Sequence, residues 1–570
     1  MQYHALYQIA QIRDIEKQAK ASLAIGNPTA RLPDSLMITA GKAAAQLAWR
    51  ILDAASKKDV KKIMILAGPG DNGGDAFEVA HQLAEMAQLS PEDTHYEIHV
   101  LICGEPNAYS NDAKKSLLAA QTNSIHWHTI DPLQQAQLQR DKLPQLNFSQ
   151  FDLIVDGLFG IGLSRPITGI VAELIIQINH SKACPVLALD VPSGLNADTG
   201  QVIATIATTA EDAVAVIASH TISFIANKPG LHTASGKDYA GIVVVDDLNI
   251  DNGYYPVPYA YLSNPSQLST LIPARKQNSH KGSYGDVLIV GGSTGMQGAA
   301  ILAGRAALYT GAGRVYLDLI EPSSSVDYSH PEIMHSSIEE HDLSNAHVVI
   351  GPGLGHSPNA LNRLRHALIH APALVIDADA LNLIAIHTDL QALCRNRSNL
   401  SWRTIITPHP LEAARLLNCD TGKIQADRCL AAQTLANQFR CTVILKGSGS
   451  IIAAEIMGNS AEANKALAKT DNHPNDGESR STQPRSDKTQ ICINPSGNPA
   501  LATAGTGDVL AGICGTMLGQ GLSAFNAACL ATYIHGLAAD DCVRENFGPI
   551  GMNASELIPA VRKVLNQMIQ

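Results

Sequence analysis

Three short glycine-containing stretches in the first half of the chain carry carboxylates at positions where they could act on an anionic ligand. Residues 68–75 read GPGDNGGD and follow an apolar run at 63–67. Such a turn presents backbone N–H groups and a helix N-terminus to whatever lies before it, which suits a phosphate-bearing substrate. Glycine also serves tight turns that bind nothing, so this stretch alone leaves both readings open. Residues 156–166 (DGLFGIGLSRP) and 189–194 (LDVPSG) add Asp156 and Asp190, each at the end of an apolar run and beside a flexible loop. A positioned carboxyl can deliver or remove a proton. The plainer role of a strand-end Asp is to cap a neighbouring turn. Three such stretches converging in one region favour a site over three unrelated caps.

The second half offers different chemistry. In LATAGTGDVLAG (501–512) the AGTGD segment opens a helix, so free N–H groups form an anion hole with Asp508 beside it. A phosphoryl group in transfer spreads charge over its peripheral oxygens, which a helix mouth stabilises, while a nearby carboxylate accepts the proton of the attacking hydroxyl. Asp508 fits that base role. Lys446, in LKGSGS, reads as a point charge for phosphate or as a solvated strand-end lysine. His409, between two prolines in TPHPLEAARLL, reads as a ligand contact or as the filling of a rigid corner. Asp377 and Asp379 of DADALN suit magnesium held through water, and suit equally the capping of their own helix.

These residues need elements to position them. Apolar runs at 63–67, 98–103, 153–155 and 186–189 read as buried parallel strands, with a helical stretch over 75–87 (DAFEVAHQLAEMA) between the first two. A second series at 287–290, 315–319, 348–350, 374–376, 405–406 and 443–445 restarts the pattern. The βα rhythm predicts α/β architecture in each half, with ligands at the strand C-termini. Residues 251–265 (DNGYYPVPYAYLSNP) show neither period and are expected to be a linker between domains at 1–250 and 266–570. Residues 458–490 lose apolar side chains and are expected to form a disordered insertion between two strands.

Composition sets the outer bounds. A chain of 570 residues exceeds the roughly 250 to 300 at which one core stops growing, so two domains are expected. A net charge of −11 argues against nucleic-acid and anionic-membrane partners, which need clustered cations. The ten cysteines form no CxxC pair, so they read as reduced core thiols. The N-terminal stretch has no apolar signal core, and no run approaches the ~20 apolar residues of a membrane span, so the cytoplasm is the expected location. Small-molecule ligands and a homo-oligomer are the expected partners.

At this point the motifs meet a family. GPGDNGGD, DGLFGIGLSRP and LDVPSGLNADTG, supported by HTISFIANKPGL at 220–231, resemble the NAD(P)H-hydrate epimerase domain, which implies a Rossmann-like three-layer α/β/α fold. The resemblance implies substrate contacts at Asp71, Asn72, Gly73, Gly74 and Asp75, and at Gly160, Ile161, Gly162, Leu163, Ser164, Arg165 and Pro166. It further implies that Asp190 contacts the reacting ring and catalyses, and that a potassium ion (K+) sits on Asn72, Asp156 and Ser193. Asp71 and Ala76 depart from the family, which usually has Asn and Gly there.

KGSYGDVLIVGGSTGMQGA, GPGLG, DADALN, TPHPLEAARLL, LKGSGSII and GTGD together resemble the NAD(P)H-hydrate dehydratase branch of the ribokinase-like superfamily. That implies substrate contacts at Ala299, Gly355, His409 and Asp508, the last also catalytic. It implies adenine-nucleotide contacts at Lys446, Gly447, Ser448, Gly449, Ser450 and Gly507, with Asn498 near the same motif. The joint expectation is repair of hydrated NAD(P)H: epimerisation of its R and S forms, then dehydration of the S form with ADP as phosphoryl donor and Mg2+ at the nucleotide. The rival is a kinase of a vitamin-precursor alcohol carrying a nonenzymatic nucleotide-binding N-terminal module. An epimerase for the same damaged cofactor makes sense of the fusion, which the rival does not.

Overall fold

The computed structural model describes residues 4–24, 35–55, 58–90, 95–104, 109–130, 147–181, 184–204, 213–321, 327–456 and 489–569. Two compact units divide the chain, Met1–Ala260 and Tyr261–Gln570.

In the N-terminal unit the strands lie in the order His126–Thr129, His95–Ile102, Val60–Ala67, Leu153–Gly157, Val186–Leu189, His220–Phe224 and Ile242–Asp246, and every pairing is parallel. Alternation along Val60–Ala67 builds the three layers, because successive side chains of a strand point to opposite faces. Ile63, Ile65 and Ala67 pack with the helices Leu36–Ala55 and Asp71–Gln88. Met64 and Leu66 pack with Leu174, Ile175 and Ile178 of the helix Gly169–Ser181 on the other face. The chain runs outward from Val60–Ala67 to His95–Ile102, then returns to start Leu153–Gly157 on the opposite side. Those two strands therefore flank a topological switch point, where α/β sheets bind ligands.

The sheet of the C-terminal unit has a parallel centre. Thr442–Leu445, Arg403–Ile406, Ala373–Ile376, Ala346–Ile350, Asp286–Gly291 and Arg314–Leu319 lie side by side in that order. Ile451–Glu455 and Thr489–Ile493 extend it antiparallel. Helices Gln297–Thr310, Thr506–Gly519, Ala524–Arg544 and Ala554–Met568 cover one face with a single apolar core. Small residues let the first two approach closely: a methyl group at Gly512 would lie 2.1 Å from the Ala303 carbonyl oxygen.

The units meet in sequence inside the segment expected to be a linker. Tyr261 and Leu262 pair with Cys492 and Ile493, and Pro265–Ser269 is a short helix, so part of that segment is ordered secondary structure. The insertion expected over 458–490 lies outside the described residues except Thr489 and Gln490, which begin a strand instead. All ten cysteines are free thiols, and among the described residues no helix is long and apolar enough to cross a membrane.

Candidate active sites

GPGDNGGD is less a loop than the sequence suggests. The helix starts at Asp71, so Gly73 and Gly74 lie in its first two turns and both are buried. The reason is steric: a methyl group at Gly73 would fall 1.9 Å from the Gly68 carbonyl oxygen, and one at Gly68 would fall 1.7 Å from that of Leu158. Gly68 N–H donates to the Gly157 carbonyl at 3.0 Å, which ties the first motif to the second across the switch point. Ala76 packs here too, since a methyl group at Gly157 would lie 2.5 Å from its Cβ.

Asp156 is fully buried and ties the second motif to the third. Its Oδ1 accepts from the Ser193 hydroxyl at 2.6 Å and from Leu158 N–H at 3.2 Å, and its Oδ2 accepts from Ser193 N–H at 2.9 Å. Burial pushes its carboxyl up to about 6, although the Ser193 hydrogen bonds oppose that. The Ser193 Oγ in turn accepts from Phe159 N–H at 2.9 Å. Beside them the Asn72 side chain is buried with neither its Oδ1 nor its Nδ2 hydrogen-bonded among the described residues. A buried amide without partners carries a desolvation cost of about 1–3 kcal/mol, so this position suits a ligand that supplies the missing interaction. Oxygens of an amide, a carboxylate and a hydroxyl form a donor set that a hard cation such as potassium prefers.

Asp190 adopts φ 67°, a left-handed conformation uncommon outside glycine and costing of order 1 kcal/mol or more. The conformation aims its carboxyl back over the second motif, where Oδ2 accepts from Ile161 N–H at 3.2 Å. A methyl group at Gly160 would lie 3.1 Å from that oxygen and 3.4 Å from Asn72 Oδ1, so the two side chains face one opening with glycine leaving room between them. Oδ1 pairs with Lys228 Nζ at 2.8 Å. Lys228 is completely buried and also donates to the Ser223 hydroxyl and to the Phe224 and Ala226 carbonyls. Lys228 belongs to HTISFIANKPGL, and the motifs alone give it no role. The available signal was one cation in an otherwise uncharged stretch that follows a buried strand.

A cavity of about 1230 Å³ opens over these groups. Asp71, Asn72 and Asp75 line it with Gly160, Ile161, Gly162, Leu163, Ser164, Arg165 and Asp190, whereas Gly73, Gly74 and Pro166 stand behind the wall. Arg13, Lys20 and Lys115 bring positive charge to the same cavity from two other helices. Asp75 is held well above the ordinary carboxylate range, by burial first and then by Asp190 and Asp71.

In the C-terminal unit the helix Thr506–Gly519 begins after Gly505, whose φ of 89° turns the chain into it. Thr506 caps backward, its hydroxyl donating to the Leu501 and Thr503 carbonyls at 2.9 Å each. The buried His535 meets the Thr506 carbonyl at 2.9 Å, so the helix mouth is held from behind. A methyl group at Gly507 would lie 3.4 Å from Lys446 Nζ, which puts a cation against the anion hole.

Lys446 is the hub of the site. Its ammonium contacts Asp377 Oδ1 at 2.7 Å and Glu412 Oε2 at 4.0 Å. Burial pulls its pKa down, but Asp377 and then Glu412 more than offset this, so it stands above the ordinary lysine value. Burial, then the charge of Asp377, pushes Asp508 up to about 7 while Lys446 opposes them. Asp377 sits at the N-cap of Ala378–Ile386 without capping it, and takes the Thr407 hydroxyl at 2.7 Å instead. Asp379 Oδ2 accepts from Gly355 N–H at 2.9 Å, which joins DADALN to GPGLG. No group of three His, Cys, Asp or Glu converges as a metal site among the described residues. Magnesium commonly takes only one or two carboxylates alongside phosphate oxygens, so Asp377 and Asp379 remain chemically suitable donors.

His409 builds the corner at the start of its helix. Its Nδ1 accepts from the N–H groups of Leu411 and Glu412, capping Pro410–Leu417, while Nε2 stands 3.3 Å from Glu412 Oε1. Ser448 lies exposed after Gly447 on the turn that follows Thr442–Leu445, and the Ser450 hydroxyl donates to the Gly447 carbonyl at 3.1 Å. Gly449 is buried in the same turn. The buried Arg428 braces the turn by donating to the Leu445 and Lys446 carbonyls. Ala299, partly exposed in the first turn of Gln297–Thr310, belongs to the loop and helix after the first strand of this unit. Asn498 accepts from Ala500 N–H and donates to Asp540, a structural role.

Comparison with known proteins adds an independent line. A family profile described as YjeF-related protein N-terminus matches residues 33–230, and one described as NAD(P)H-hydrate dehydratase matches 287–470 and 483–563. The bifunctional NAD(P)H-hydrate repair enzyme Nnr of Escherichia coli is 32% identical over 93% of this chain and 89% of its own length. That of Coxiella burnetii is 32% identical over 98% of this chain and 99% of its own. Among solved structures, the Bacillus subtilis ADP/ATP-dependent NAD(P)H-hydrate dehydratase co-crystallised with ATP and Mg2+ aligns with TM-score 0.42 and 25% identity, covering 54% of this chain and 98% of that one. With both regions matched and relatives this similar along almost their whole length, the chain belongs to the family of bifunctional NAD(P)H-hydrate repair enzymes.

Proposed function

We propose that this chain repairs hydrated NAD(P)H in two steps: the N-terminal unit interconverts the R and S epimers, and the C-terminal unit dehydrates the S epimer to NAD(P)H, consuming ADP and releasing AMP and phosphate. The observation that carries the reading is the presence, in one chain, of a cavity with a lysine-paired Asp190 and a helix mouth with Asp508 beside Lys446.

In the first unit the hydrated ring lies against Asp190, and residues 71–75 and 160–166 hold the nucleotide. The carbon that epimerises bears a hydroxyl and adjoins nitrogen, so proton transfer to and from oxygen by a carboxyl is the chemistry required. Asn72, Asp156 and Ser193 would hold potassium, which supplies a fixed positive charge beside the nucleotide. Asn72 with both amide atoms unsatisfied supports this.

In the second unit Asp508 takes the proton of the ring hydroxyl as that oxygen attacks the terminal phosphorus of ADP. Backbone N–H groups at the helix mouth and Lys446 steady the phosphoryl oxygens. The phosphate ester is a far better leaving group than hydroxide, so nitrogen lone-pair donation expels phosphate, and loss of the neighbouring proton restores the dihydronicotinamide. Ala299, Gly355 and His409 contact this substrate, and residues 446–450 with Gly507 contact the adenine nucleotide. Asp377 and Asp379 would hold Mg2+, which neutralises phosphate charge.

The test supplies purified protein with mixed NADHX epimers and ADP, ATP or neither, and follows the return of reduced-nicotinamide absorbance. Full recovery of both epimers with ADP, and none without nucleotide, is expected. Recovery of only half the material removes the epimerase reading, and no recovery with either nucleotide removes the dehydratase reading.

A further inference from the structure

Asp75 and Asp190 line the same cavity of the N-terminal unit, yet their surroundings differ in kind. Asp190 accepts on both oxygens, from Lys228 at 2.8 Å and from Ile161 N–H at 3.2 Å. Lys228 donates elsewhere only to uncharged oxygens, so its whole charge is spent on Asp190. Asp75 projects from the second turn of Asp71–Gln88 and accepts no hydrogen bond or ion pair among the described residues.

The charges that face Asp75 are mostly of its own sign. Asp71 lies on the same helix, Asp190 across the cavity, and Glu16 on Ile9–Ala24, while Lys20 opposes them and is itself paired with Glu16 at 2.6 Å. Asp112 and Lys115 of Asn111–Gln121, with Arg13 and Arg165, complete the charged groups of the cavity wall. An unpaired carboxyl in such company keeps its proton. A buried carboxyl without a partner, facing one that is ion-paired, offers a proton donor beside a proton acceptor.

Resting on the epimerase reading above, we infer that the two carboxyls divide the proton work: Asp75 is the acid, Asp190 the base, and Lys228 the positioning residue that keeps Asp190 an acceptor. The Asp75 proton passes to the ring hydroxyl as the C–O bond breaks, releasing water, and the ring nitrogen lone pair forms the C=N bond of a cation. A water then adds to the same carbon from the other face and gives its proton to Asp190, while the C=N electrons return to nitrogen. One proton has moved from Asp75 to Asp190, and exchange with solvent resets the pair.

The experiment follows interconversion of each purified NADHX epimer by the full chain, without nucleotide, from mildly acidic to mildly alkaline pH. Wild type should show a bell-shaped profile. Asp75→Asn should lower kcat by about 10²- to 10³-fold and lose the alkaline limb, while Asp75→Glu keeps that limb. Lys228→Met should lower kcat by about tenfold or more, with Lys228→Arg recovering most of it. Because Lys228 is buried, thermal midpoints accompany that pair, and the Asp75 pair decides the question without it. Asp75→Asn with the wild-type alkaline limb, or with a raised KM and unchanged kcat, overturns the division of labour and leaves the epimerase reading standing. Wild type that interconverts nothing removes the epimerase reading, and the inference with it.

Discussion

In the N-terminal unit one buried lysine serves one carboxylate, Lys228 for Asp190. In the C-terminal unit Lys446 is divided among Asp377, Glu412 and Asp508. The difference matches what each site has to do. For the epimerisation proposed above, private pairing with Lys228 sets Asp190 apart from Asp75 of the same cavity, unpartnered among the described residues. For the phosphoryl transfer proposed above, a carboxyl pushed up to about 7 by burial and by Asp377 would suit a base that works near neutrality.

The sharpest way to break this comparison is to remove the carboxylates singly. Asp508→Asn should lower ADP-driven dehydration by about 10³-fold and leave interconversion of the epimers in place, and Asp190→Asn should do the reverse. Separate assays of the two reactions on folded variants decide it. Loss of both activities in either variant would end the assignment of one reaction to each unit.

Next in size is the shared lysine. Lys446→Met strips the cation from Asp377, whose side chain is 2% exposed, and should cost about 3 kcal/mol of stability, read as a lower denaturation midpoint. A loss below about 0.5 kcal/mol would mean that Lys446 stabilises nothing in the resting protein.

The pH dependence sharpens the comparison further. Asp508 must be ionised to accept a proton, so dehydration should fall as pH drops through about 7. Asp377→Asn removes the like charge that acts most on Asp508 and should move that limb to lower pH.

Potassium should raise the thermal midpoint of wild-type protein through linkage to the native state and should fail to do so in Asn72→Leu, whose side chain offers no oxygen. Equal shifts in both would place the ion elsewhere.

A last test concerns His535, which lies behind the helix mouth. Burial lowers its pKa from 6.5 to about 4, so it stays neutral in the fold while the unfolded chain takes up a proton. Stability from this group is whole above 6.5 and is lost as pH falls through about 4. His535→Gln should flatten that part of the stability curve.

Much of both sites was legible in the residues. Glycine motifs at strand ends mark where backbone must pass close to backbone, as the 1.9 Å approach behind Gly73 demands, and apolar runs of strand length locate the sheets that carry them. The strand His126–Thr129 escaped that reading because its polar side chains give no apolar signal, and the start of Asp71–Gln88 escaped because Gly73 and Gly74 read as turn residues.

What the sequence determined by itself, then, was local: two series of βα units and the chemical types of Asp156, Asp190, Ser193, Lys446 and Asp508. Tertiary structure alone decided the pairings. Lys228 reaches Asp190 across 38 positions of chain, and Lys446 reaches Asp377 across 69. Both pairs follow parallel strands that end on the same edge of one sheet, adjacent strands for Lys228 and Asp190 and strands one apart for Lys446 and Asp377, and the order of strands in a sheet is fixed by packing of the whole core and not by any one segment.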